Sequence, residues 1–243
     1  MSDSNLGLGE QALSRAAELV INTQLTESES LTIDVHAPGL MPMQGEATGV
    51  HIEGKGLTFH EMRVEAVEVQ TEAVSIDPLR ALVGDIHLSQ PVAATARLVL
   101  KAEDLNRALN TPTALAPFQG VTLPCTDKPG TLDVLAVHLD FPAAQKMTLE
   151  VRLNLGYVGE PSQTVAFTAG ILVDSNLCIQ EMHFLKGYEL PLELAGPLMQ
   201  RISILARQRA FSWQGMAFQV HDLQVEPGAM VITSAAQIAQ MPS

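Results

Sequence analysis

The chain has 243 residues, of which 47% are hydrophobic and 17% charged, and its formal net charge is −13. With only 14 Lys and Arg, it lacks both the basic stripe that binds a nucleic acid and the polybasic segment that anchors a protein to an anionic membrane. Aromatics make up 4% and methionines number ten, so aliphatic side chains and soft thioethers must fill the interior, a lining that suits an acyl chain or a plain core.

The spacing of Leu13, Ala16, Ala17 and Val20, with Ile21 beside them, predicts an amphipathic helix over residues 8–25, with Ser14, Arg15, Glu18 and Asn22 on its wet face. Leu31, Ile33 and Val35 then alternate with polar residues as in a strand. Pro38, Gly39 and Pro42 interrupt regular pairing after it. Strand-like runs follow over 45–52 and 57–76, and the change of alternation at Ala66-Val67 reads as a bulge or bend. Asp77 as N-cap, Pro78 at the first helical position and Gly84 as stop predict a short helix. Val92, Ala94, Ala96, Leu98 and Leu100 share one face of a strand, and Leu105, Ala108 and Leu109 form the apolar side of a helix over 102–110. The Pro-, Thr- and Gly-rich residues 111–130 read as a loop between two halves of one domain.

The second half is strand-rich. The runs over 147–157 and 165–173 alternate as an antiparallel sheet with one dry face does, and Asp174-Ser175-Asn176 marks a hairpin. A second long helix is expected over 191–210, kinked at Pro197. Strands over 211–225 and 229–234, joined by Glu226-Pro227-Gly228, close the chain.

No residue pattern carries catalytic or metal chemistry. The seven histidines show no i, i+2 or i, i+4 pair, and Cys125 and Cys178 read as reduced structural thiols. The carboxylates Glu65, Glu68, Glu72 and Asp77 read as solubilising charge on a wet face. Asp104-Leu105-Asn106 reads as capping and turn chemistry at its helix. No nucleophile elbow, phosphate loop or dinucleotide fingerprint is present, so no enzyme and no cofactor is expected. The N-terminus has no basic and apolar leader, and no apolar run reaches the roughly 18 residues of a membrane span. The expected location is cytoplasmic, peripheral to the inner face of a membrane.

Two segments carry a family resemblance: Val74-Ser75-Ile76-Asp77-Pro78-Leu79-Arg80-Ala81-Leu82-Val83-Gly84 and Leu100-Lys101-Ala102-Glu103-Asp104-Leu105-Asn106-Arg107-Ala108-Leu109-Asn110. With the Pro38-Gly39-Leu40 turn and the stretch from Met216-Ala217-Phe218 to Val225-Glu226-Pro227-Gly228, the chain resembles the LmeA-like phospholipid-binding family of bacteria over residues 8–235. The resemblance implies an α+β fold like that of tubular lipid-binding proteins. There a long, strongly curved antiparallel sheet wraps around one or two long helices as a half barrel. Residues 8–235 would form one domain, with flexible termini over 1–7 and 236–243.

It also implies a phospholipid or other acyl-chain ligand in an apolar groove between sheet and helix, a role as lipid carrier or envelope-lipid homeostasis factor, and transient membrane contact. The groove candidates are Leu13, Ala17, Val20 and Ile21 on the first helix and Leu198, Ile202 and Leu205 on the second, with Leu149, Val151 and Phe167 on strands. Each methylene buried there would contribute about 0.8 kcal/mol. Another apolar ligand, such as a carotenoid or quinone, is disfavoured by the scarcity of aromatics for stacking. The alternative is a non-catalytic interaction module with a closed aliphatic core, offering Arg201, Arg207 and Arg209 as a contact patch.

Overall fold

The computed structural model describes residues 8–39, 41, 45–59, 61–76, 88–123, 130–157, 163–173, 177–185, 210–213 and 216–239. The chain is α+β and built on open, curved antiparallel sheets. It divides into two compact units, each discontinuous in sequence. One comprises residues 1–99, 209–222 and 232–243, and the other 100–208 and 223–231.

The first unit opens with helix α1 (Leu8–Gln24), followed by strands β1 (Ser30–His36), β2 (Glu46–Ala47), β3 (Gly49–Phe59), β4 (Met62–Thr71), β5 (Val74–Ser75) and β6 (Val92–Lys101). Later in the chain come β12 (Ala210–Trp213), β13 (Met216–Glu226) and β14 (Ala229–Ile238), and the main sheet runs β1-β3-β4-β6-β14-β13-β12. Strand β1 is therefore terminal, and one row of its backbone amides needs partners from outside the sheet. Helix α1 supplies them. The Ala37, Val35 and Ile33 N–H groups donate to Glu10 Oε1 at 2.9 Å, Ser14 Oγ at 2.9 Å and Glu18 Oε1 at 3.2 Å.

The spacings match. Four residues along a helix rise about 6.0 Å, and two residues along a strand about 6.6–6.8 Å, so an i, i+4, i+8 row of acceptors meets every second amide. Ser14 and Glu18 thus do not belong to the wet face. Ser14 is 7% exposed because the unpaired edge takes its hydroxyl as an acceptor. Ser14→Ala leaves the buried Val35 N–H without a partner and is expected to cost about 1–3 kcal/mol in urea unfolding, whereas Arg15→Ala on the exposed side of α1 is expected to cost almost nothing.

The expected single run over 57–76 is a hairpin followed by a short strand, because the chain reverses between the paired residues Phe59 and Met62. Ala66-Val67 is not a bulge. Lys55 faces Ala66 and Gly54 faces Val67 on one side, Val99 and Leu98 face them on the other, and both registers stay in step. Alternation fades there because most of β4 is half-buried on both faces. Gly56 (φ +57°) gives its side-chain space to the Glu29 carboxylate, which Arg63 holds at 2.6 Å while also bonding Glu65 at 2.8 Å.

The second unit holds α2 (Ala102–Leu109), α3 (Pro112–Leu115), a 3₁₀ turn η1 (Ala116–Phe118), and strands β7 (Val121–Leu123), β8 (Gly130–Ala143), β9 (Lys146–Tyr157), β10 (Gln163–Val173) and β11 (Leu177–Phe184). These five strands form a sheet in the order β11-β10-β9-β8-β7. The expected loop over 111–130 therefore contains a helical turn capped by Thr111, a 3₁₀ turn and a strand. The hairpin between β10 and β11 forms as expected, with Val173 facing Leu177.

The expected helix from Pro78 to Gly84 lies outside the described residues, as does the one expected over 191–210 except for Ala210, which belongs to β12. The expected strand over 211–225 is a hairpin, since Trp213 faces Met216. Strand β14 runs past residue 235 to Ile238, so part of the expected C-terminal tail is sheet.

Candidate functional site

Side chains that stay apolar and incompletely covered are where an acyl chain can bind. In the first unit, α1 packs on β1 over a small closed centre of Ile33, Val35, Ala37 and Ala47, all at most 7% exposed. Around it lies a wider rim of partly buried aliphatics: Leu13, Ala17 and Ile21 from α1, and Leu31, Met41, Val50, Ile52 and Val74 from the strand side. Three of the four candidates on α1 thus meet in one cluster. Val20 lies on the same helix, and its side chain is outside the described ones. Sequence reasoning misses the rim residues from the strands, although the alternation of Leu31, Ile33 and Val35 beside an i, i+4 helical stripe carries the signal.

In the second unit the apolar cluster is closed. Val165 and Phe167 are 0% exposed, Leu153 and Leu155 1%, and Leu132, Val134, Val151 and Ala169 complete it. Of the strand candidates, Val151 and Phe167 belong to this cluster and Leu149 packs against it. A fully enclosed side chain such as Phe167 sets the shape of a floor and offers no surface of its own. Leu198, Ile202 and Leu205 lie outside the described residues.

Among the described residues, charge does not gather into a reactive constellation. Glu65 is held by Arg63, and Glu68 and Glu72 are exposed. His36, His138, His183 and His221 are exposed, and His51 is half-buried against Glu53 at 3.0 Å. Among the described residues no group of three or more His, Cys, Asp or Glu is placed to hold a metal ion. A depression of ≈ 170 Å³ over β8 and β9, lined by Ala136, Val137, His138, Glu150 and Arg152, falls below the roughly 300–1,000 Å³ of small-molecule pockets. No described helix is long and apolar enough to cross a membrane.

Two of the segments that carry the family resemblance, residues 100–110 and the closing Glu226-Pro227-Gly228, have structural work. Helix α2 lies along β8 beyond its pairing with β7, and its side-chain amides serve the strand as a neighbouring strand would. Asn106 Nδ2 donates to the Leu139 carbonyl at 2.8 Å while its Oδ1 accepts from the Leu139 N–H at 2.6 Å. One helical turn on, Asn110 does the same for Val137, at 2.6 and 3.0 Å. Asp104-Leu105-Asn106 is therefore not a cap: the N-cap residue is Lys101, which makes no side-chain capping bond.

The cap comes from the closing motif. Gly228 (φ +80°) accepts from the Ala102 N–H at 3.0 Å and donates to the Phe141 carbonyl at 2.9 Å. Buried Asp104 pairs with Arg107 at 3.1 Å. The two helices thus solve one problem in two ways, α1 with acceptors alone and α2 with whole amides.

The model of the LmeA-like phospholipid-binding family matches residues 5–235, nearly the whole chain. No curated protein and no solved structure matches.

Proposed function

Since the chain belongs to the LmeA-like phospholipid-binding family, we propose that it is a non-catalytic carrier that holds phospholipid acyl chains against the half-buried rim beneath α1. The family match carries this proposal. The ring of partly covered aliphatics around Ile33 and Val35 supports the choice of place, because such side chains gain most from a further apolar layer. Leu13, Ala17 and Ile21 would then contact the chains. The closed cluster that holds Val151 and Phe167 supports a different role for the strand candidates, as the core of the second unit. An acidic exterior keeps a loaded carrier soluble, and its proposed location is the cytoplasmic side, peripheral to the inner membrane face.

The test is Ile21→Asp. A carboxylate facing the rim is expected to lower the phospholipid that co-purifies by about tenfold, since discriminating against a charge by about 1.4 kcal/mol is enough for that factor. Circular dichroism checks that the fold survives. Equal lipid loading in a folded variant would remove the α1 rim as the binding place.

A further inference from the structure

Residues 108–126 are the longest run in the chain without Asp, Glu, Lys or Arg, where the average charged content of 17% would place about three. Much of this run is on the surface: Pro112, Thr113, Ala116, Pro117, Phe118, Gln119 and Gly120 are all exposed. It follows the free edge of β8 between two clamps. Asn110 holds Val137, and Gln119 Nε2 donates to the Val134 carbonyl at 2.7 Å. Between the clamps both strands of chain depart from regular pairing. The register of β8 shifts between Val134 and Ala136, leaving Leu135 46% exposed, while the chain opposite runs through α3 and η1 and leaves Phe118 36% exposed. Phe118 and Leu135 each lie one residue from the same Gln119–Val134 bond.

Four of the excursion's amides are bonded within it. Pro112 and Pro117 have no N–H. The Ala114 N–H goes to Thr111 Oγ1, that of Leu115 to the Thr111 carbonyl, that of Ala116 to Pro112 and that of Gln119 to Ala116. A segment with no charge of its own, two prolines, mostly internally bonded amides and an exposed aromatic has less to lose on leaving water than a charged loop has.

From these observations we infer that the Phe118–Leu135 knuckle is the surface by which the protein docks on a phospholipid bilayer. The inference rests on the phospholipid reading, since a ligand stored in bilayers must be collected there. The chain's charge of −13 makes an approach through charged surface unfavourable at anionic membranes, whereas the segment 108–126 brings no charge of its own and the neighbouring Asp133 carboxylate is engaged by the Gly120 N–H at 2.6 Å. Docking is therefore apolar. Screening by about 0.5 M salt leaves binding to phosphatidylcholine vesicles unchanged and raises binding to phosphatidylserine vesicles.

Vesicle flotation with the full chain tests the inference. The wild type is expected to float with phosphatidylcholine vesicles, and Leu135→Asp to lower the bound fraction on the order of tenfold. As a second measurement, Phe118→Trp in a Trp213→Phe background is expected to shift its emission to the blue and to be quenched by brominated-chain phosphatidylcholine. Flotation of Leu135→Asp equal to the wild type, release of the wild type by salt, or emission from the Phe118→Trp variant that ignores vesicles would each overturn the proposal. So would a monomer–dimer change in Leu135→Asp with flotation intact, which would make the knuckle a contact between copies. Lipid that co-purifies is measured on the same samples. Wild type that carries none overturns the phospholipid reading itself, whereas lipid-loaded protein that never floats overturns only the docking surface.

Discussion

Phe167→Ala is expected to lower the unfolding free energy by about 3–5 kcal/mol in urea titration, the usual range for truncating an aromatic side chain in a closed core. Phe167 has no exposed surface and faces Val151 on β9 and Phe184 on β11, so the volume it vacates is bounded by strands on both sides that cannot collapse into it cheaply. The control is Leu135→Ala in the same unit. That side chain is nearly half exposed at a bulge, and its truncation is expected to stay within about 1 kcal/mol. Equal losses in the two variants would mean that the β8–β10 cluster is not the core of its unit.

The second large effect is expected from Asn106→Ala combined with Asn110→Ala. Each asparagine satisfies one N–H and one C=O of β8, so the pair removes four hydrogen bonds and uncovers the strand edge between Val137 and Leu139. Solvent reaches part of that edge, so the expected loss is about 2–4 kcal/mol and not the full sum for four buried groups. Hydrogen exchange locates it. The Val137 and Leu139 amides are expected to lose protection by at least about tenfold more than the Leu153 amide does. Asn106→Asp restores an acceptor for the Leu139 N–H but sets a carboxylate against the Leu139 carbonyl, so it is not expected to rescue. Unchanged exchange at Val137 and Leu139 in the double variant would refute the clamp.

What the sequence reveals depends on whether a pattern is local. Helix α1, strand β6, helix α2 and the alternating strands β9 and β10 announce themselves because one face of each is dry and the other wet. The Leu132–Ala143 stretch of β8 does not. Its alternation is broken by the extra residue at Leu135, and Pro142 near its end argues against a strand, yet the free edge of β8 tolerates both. The β3–β4 reversal is hidden for another reason: His60-Glu61 contains none of the Gly, Asn or Asp residues that mark a two-residue turn.

In sequence, Ser14 and Glu18 read as wet-face groups and Asn106 as part of a cap, while Asn110 carries no signal of its own. Their true partners are backbone amides and carbonyls of strands that lie about 15 to 33 residues away in sequence, a distance across which no periodicity speaks. The division into two units is equally silent, because each is assembled from separated stretches and no linker composition marks the join. For the candidate site, the helical stripe of Leu13, Ala17 and Ile21 is legible, and its strand-side rim is not.

Everything proposed for the α1 rim and the knuckle requires that this chain hold phospholipid. Native mass spectrometry of the purified wild type, followed by solvent extraction and lipid analysis, tests it most directly. The expected result is a protein mass carrying one or more phospholipid increments that reappear as diacyl phospholipid in the extract. A single ligand-free mass, with no uptake after incubation with phosphatidylcholine liposomes, would contradict it and leave a closed-core interaction module as the better description.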